Sequence, residues 1–130
     1  MFAVLVLAFV GTWQLDVAHS EWKSGPAPYA RGTWTIARAG DDVKMVYDLV
    51  GTRGGVTHME WTGRFDGADY PLQGADAAIT YAYTAVDART LDLIVKVDGQ
   101  VSTRGRITLA PGGRSLTAET PVTKTIYTRR

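Results

Sequence analysis

A chain of 130 residues with 45% apolar and 21% charged residues has the balance of one ordinary globular domain, long enough to bury a core without staples. Its formal net charge of +1 provides no global field for nucleic acid or acidic membrane, and no nucleic-acid partner is expected. The absence of cysteine excludes disulfides, a thiolate nucleophile and a sulfur-ligated metal from this chain. Charge is nevertheless uneven, because the segment from Val101 to Arg130 carries +5 and the remainder −4. In a closed sheet these two portions become neighbours and neutralise one another.

The apolar opening, Met1 to Val10, is too short to cross a bilayer, so no stable membrane span is expected. Residues 1–8 read either as the remnant of an export signal or as a first strand segment tucked under the domain formed by residues 9–130. No polar residue alternates with the apolar ones, which favours the export reading and a periplasmic or secreted location over a cytoplasmic one.

From Gly11 onward the pattern is period-2 alternation punctuated by turn residues. Trp13, Leu15 and Val17 fall on one face of a first strand, and Ser24-Gly25-Pro26-Ala27-Pro28 then breaks regular structure. Strands are predicted over Thr33–Ala39, Val43–Val50, Val56–Phe65 and Asp69–Leu72, with Asp66-Gly67 as a hairpin signal. The second half continues with Ala78–Val86, Leu91–Val97, Val101–Leu109, Ser115–Thr120 and Val122–Thr128. Ile79, Tyr81 and Tyr83 are in phase there, as are Leu91, Leu93, Val95 and Val97, and Asp98-Gly99 is a second hairpin signal.

About ten strands follow one another with no room for crossover helices, which excludes parallel pairing. A meander of this length leaves two exposed edges unless it closes. The expected fold is therefore all-β, a closed antiparallel up-and-down barrel whose lumen is wide enough for a small ligand. A two-sheet sandwich is the alternative.

The stretch Phe9-Val10-Gly11-Thr12-Trp13-Gln14-Leu15 resembles the opening of the fatty-acid-binding proteins and, through Gly-x-Trp, of the lipocalins. The likeness is closer still to small bacterial lipocalin-like proteins. It is carried by Gly11-Thr12-Trp13, Gly25-Pro26-Ala27-Pro28, Asp66-Gly67 with Tyr70-Pro71 and Gly74, and Tyr127-Thr128-Arg129. The resemblance implies a calycin-type barrel that holds a lipid or similar molecule. It also implies that Trp13 plugs one end of the barrel beneath an arginine from a late strand, Arg129 or Arg106. Two departures matter. The carboxylate-holding Arg-x-Tyr of fatty-acid-binding proteins falls on Thr125-Ile126-Tyr127, so only the tyrosine is retained. The segment 20–31, broken by Pro26 and Pro28, is too short for the helical lid of that family.

Candidate ligand-binding residues are Tyr47, Trp61, Tyr81, Tyr83, Arg106 and Tyr127, aromatic walls with hydroxyl tips and one cation. Phe65 and Met59 belong to the same apolar phases. Arg104 and Arg106 share one strand face and form either an inward hook for an anionic head group or a pair of solvated charges. The apolar phase of Thr103, Gly105, Ile107 and Leu109 favours the outward placement.

His58 and Glu60 are in phase, but two ligands on one strand do not make a zinc site, and neither metal nor cofactor is expected. No nucleophile elbow, phosphate loop or dinucleotide fingerprint occurs, and Asp41-Asp42 reads as a turn. The expected function is non-enzymatic binding or transport of a small hydrophobic or amphipathic ligand by a monomer. The alternative is a structural or protein-interaction module with a packed interior, using the loop around Tyr29. An enzyme built on a buried acid, Glu60 or Asp48, ranks last because neither has a visible base or nucleophile partner.

Overall fold

The structure, a computed structural model, describes residues 8–130. Eleven strands run β1 (Gly11–Leu15), β2 (Glu21–Trp22), β3 (Tyr29–Ala39), β4 (Asp42–Gly51), β5 (Val56–Gly63), β6 (Tyr70–Gln73), β7 (Ile79–Asp87), β8 (Thr90–Val97), β9 (Gln100–Leu109), β10 (Ser115–Glu119) and β11 (Thr123–Arg129). From β3 to β11 each strand pairs antiparallel with the next. β1 then lies between β3 and β11 and closes a ten-stranded up-and-down barrel. The tenth stave is broken, since β1 and β2 both pair with β11 at different heights. No described helix is long and apolar enough to cross a membrane. The boundary expected after residue 8 and the export reading fall largely on residues 1–7, outside the described residues.

The first strand is shorter than its alternation predicts. It stops at Leu15, and Val17–His19 forms a single 3-10 turn. Local hydrogen bonding outcompetes the ladder here. The Asp16 carboxylate accepts from the His19 backbone N–H at 3.3 Å and pairs with its Nδ1 at 2.8 Å. β11 is not left unsatisfied across the gap. Asp16 N–H donates to the Ile126 carbonyl, and Ile126 N–H donates to Ser20 Oγ, both at 2.8 Å.

The two Asp-Gly hairpin signals end differently. Asp98 and Gly99 have φ of 51° and 79°, the pair of positive values that a tight primed turn between β8 and β9 requires. Asp66-Gly67 instead sits within the longer connection 64–69. The Asp66 carboxylate there accepts from Ala68 N–H and from the Tyr70 hydroxyl, and the backbone bridges to Thr84 on β7. The connection reaches past β6, which meets β5 only at Glu60↔Gln73 and Trp61↔Leu72.

Odd-phase residues of β1, β4, β8 and β11 and even-phase residues of β3 point inward, and the packed core lies toward the end where the chain enters. Phe9, Trp13, Met45, Leu91 and Leu116 are fully buried there. Trp13 Nε1 donates to the Phe9 carbonyl at 3.0 Å. Arg129, the partner of Trp13 across β1 and β11, places its guanidinium carbon 4.2 Å from the centre of the indole. The same group donates to the carbonyls of Val10, Ala8 and Gly113 at 2.7, 3.2 and 2.9 Å. Gly11 makes the room, since a Cβ there would lie 2.5 Å from the Arg129 Nη1.

A planar fork with several fixed donors performs this task and an ammonium cannot. Arg129→Lys and Gly11→Ala should each lower the urea midpoint, by about 1–3 kcal/mol of stability. A wild-type midpoint in Arg129→Lys would show that the guanidinium is not the fastening.

Candidate functional site

Inward side chains change character along the barrel axis. Toward the entry end they are sealed, with Trp61 and Tyr83 each 1% exposed. Toward the opposite end Met59, Ile79, Tyr81, Val95 and Ala118 pack against the core yet remain only partly buried. Small residues line this half on three staves, Gly32, Gly105 and Ala118. A Cβ at Gly32 would lie 2.5 Å from Leu49 Cδ2 and one at Gly105 would lie 3.0 Å from the Glu119 carbonyl oxygen, so these glycines admit their neighbours closely. Above Arg106 the β9 strand has no pairing with β10, which ends at Glu119.

Between the sealed and open halves lies an aromatic layer. Trp34 stacks on Tyr47 with ring centres 5.2 Å apart and meets Tyr127 edge-on at 5.3 Å. Tyr81 approaches Tyr47 at 6.4 Å and Tyr83 at 6.1 Å, and Trp61 meets Tyr83 at 4.9 Å. β4 and β7 are three staves apart, so the 2.7 Å hydrogen bond between the Tyr47 and Tyr83 hydroxyls is made inside the barrel and not across a strand pair. Gly63 lets the layer extend outward, because a Cβ there would strike the Tyr70 ring.

Five of the residues expected at a ligand site, Tyr47, Trp61, Tyr81, Tyr83 and Tyr127, thus come together in or beside this layer. Arg106 does not join them. It stands on the outer wall, with Nε 2.8 Å from the Asp92 carboxylate. Arg104 is also exposed on that wall, and both arginines border an outer hollow of about 480 Å³ with Thr84, Asp92, Glu119 and Pro121. The inward phase of β9 is Thr103, Gly105, Ile107 and Leu109, and alternation turns the arginines outward.

The acidic candidates are also on the outer face. Asp48, His58, Glu60 and Lys44 form one line across β4 and β5. His58 Nδ1 is 2.5 Å from Asp48, His58 Nε2 is 2.8 Å from Glu60, and Lys44 is 3.2 Å from Glu60. The carboxylates bracket the imidazole from opposite sides instead of converging, and no described group of three such residues could hold a metal. The hydrogen bond to Asp48, aided by that to Glu60, raises the His58 pKa. Hydrogen bonds from His58 and Lys44 hold Glu60 below the usual carboxylate range, opposite to the shift of a buried acid.

Trp34 escaped the reading of the sequence as a site residue, although its phase with Ile36 in Gly32-Thr33-Trp34-Thr35-Ile36 places it inward. It is 2% exposed, and its Nε1 is the buried side-chain polar atom without a hydrogen-bond partner among the described residues. Tyr29, expected on a partner-facing loop, begins β3 and packs against the core at the mouth. No family model matches this chain, and comparison with curated proteins gives no match.

Burial, the leading cause in each case, raises the hydroxyl pKa of Tyr47, Tyr81 and Tyr83 and pushes Tyr127 up to about 12. A raised folded pKa contributes stability that is complete below the ordinary value of 10.0 and lost as pH climbs through the folded values. Phenolate absorbance from these four residues should therefore appear together with loss of the β-sheet circular-dichroism signal. A graded rise centred near pH 10 in a protein that stays folded would contradict the layer's burial.

Proposed function

We propose that the protein binds a small hydrophobic or amphipathic molecule in the open half of the barrel, as a carrier or sequestering protein of lipocalin or fatty-acid-binding-protein type. The observation that carries this reading is the asymmetry of the interior. One end is sealed by Phe9, Trp13 and the Arg129 fastening, whereas Tyr81, Met59, Ile79, Val95 and Ala118 keep accessible surface on the inward face. Apolar walls with a few hydroxyls above an aromatic floor have the composition of a small-molecule pocket. Desolvation of the ligand supplies the affinity and the tyrosines orient it. The Trp13 plug beneath a late-strand arginine supports placing the protein with the calycin-type barrels.

Filling the lumen should weaken binding without touching the fold's fastening. Ala118→Trp projects an indole into the open half, and Thr108→Trp adds the same group to the exposed outer face of β9. Titration with the neutral dye N-phenyl-1-naphthylamine should show saturable fluorescence enhancement in the wild type. A comparable result is expected for Thr108→Trp, with affinity weakened about tenfold or more in Ala118→Trp. A wild-type protein that refuses the dye would instead favour a packed barrel serving as an interaction module.

A further inference from the structure

We infer that the molecule held in the open half of the barrel is uncharged and carries a hydrogen-bond acceptor, in the manner of a ketone, ester or quinone, and that ionised carboxylates and phosphates are rejected. This inference rests on the carrier reading and narrows it. Its first support is the sorting of charge. No charged residue is buried among the described residues. Arg104 and Arg106 lie on the outer wall, Lys96 pairs with Asp69 at 2.8 Å, and Lys44 pairs with Glu60, also outside. Arg129 is inward but lies at the sealed end, committed to Trp13 and three carbonyls. Lys23 and Arg53 are exposed on loops at the mouth, where water screens them.

An anion carried down to the aromatic layer would therefore lose its hydration and gain no cation, which is the costly arrangement for a buried charge. The second support is the polar equipment that is present. The Tyr81 hydroxyl has no hydrogen-bond partner among the described residues, its carbonyl being taken by Trp61 Nε1, and the Tyr127 hydroxyl, on the inward face, is engaged by Thr125. Buried phenols stay protonated and can donate. Trp34 Nε1 is a donor only, and leaving it buried without an acceptor costs free energy. It is stacked on Tyr47 and edge-on to Tyr127, so an acceptor that reaches it arrives among those hydroxyls.

Matched probes separate this inference from the reading beneath it. Methyl dodecanoate, dodecane and dodecanoate would compete with N-phenyl-1-naphthylamine for the wild-type protein at pH 8 and at pH 5. The ester should bind at least about tenfold more tightly than dodecanoate at pH 8, the gap should narrow at pH 5 as the acid takes up its proton, and dodecane should bind more weakly than the ester. Dodecanoate that matches or exceeds the ester at pH 8 overturns the exclusion of anions, and dodecane that matches the ester overturns the need for an acceptor. Both results leave the carrier reading standing. Failure of all three probes and of the dye removes that reading and the inference together.

Discussion

The guanidinium of Arg129 lies where the last strand meets the first, and the register of that junction determines what the barrel encloses. Trp13 opposite Arg129 and Leu15 opposite Tyr127 set the height at which β11 lies against β1. Because side chains alternate with a period of two, a one-residue slip would turn Tyr127 to solvent and bring Ile126 and Thr128 inward. The cation over Trp13, its bonds to Ala8, Val10 and Gly113, and the missing Cβ of Gly11 all oppose that slip. The fastening joins chain positions that are far apart in sequence, so it replaces two open edges with a ring. The sealed floor and the position of Tyr127 follow from it.

With the register fixed, charge sorts by face. Apart from Arg129 at the sealed end the inward phase is apolar or hydroxylic, and the ion pairs Arg64–Asp42, Lys96–Asp69 and Arg106–Asp92 all lie on the outside. Exposed pairs of this kind add little stability individually. Their outward placement has a larger effect on the lumen, since no carboxylate or guanidinium is left there to be desolvated. Polar character inside therefore comes from phenols and threonines, which tolerate low dielectric when neutral. The hydroxyl pair of Tyr47 and Tyr83 ties β4 to β7, three staves away, at little cost, because each satisfies the other.

Much of this architecture was legible in the sequence, and the exceptions have definite causes. Alternation located the staves, and Asp98-Gly99 gave a true primed turn because both residues accept positive φ. The apolar phase of Thr103, Gly105, Ile107 and Leu109 correctly favours outward arginines, and Arg106 is a ligand-site candidate only on the reading in which that phase does not face the lumen. Val17 continues the alternation of Trp13 and Leu15, yet the Asp16 side chain captures His19 and ends the strand. The Asp66-Gly67 signal reads as a tight hairpin, but Asp66 spends its carboxylate on Ala68 and Tyr70 and the connection widens. These last two outcomes are set by short polar side chains bonding their own neighbourhood, an effect that hydrophobic periodicity does not register. The unpartnered indole nitrogen of Trp34 depends on contacts with β4 and β11, which no local window contains.

The same residues explain why the two halves of the barrel differ. A ring of ten staves is wide, and filling it takes large side chains projecting from most of them. At the sealed end Trp13, Phe65 and Phe9 do so, and Trp34 and Trp61 fill the layer above them. At the mouth the inward positions of β3, β9 and β10 are Gly32, Gly105 and Ala118, and the opposing walls offer Met59, Ile79 and Val95. At Gly32 and Gly105 the space of a Cβ is already taken by the Leu49 side chain and the Glu119 carbonyl, whereas Ala118 is a small side chain on the inward face. These three positions sit above a floor of interlocked aromatic rings. The barrel is therefore closed at one end by large rings and lined at the other by smaller or partly buried side chains.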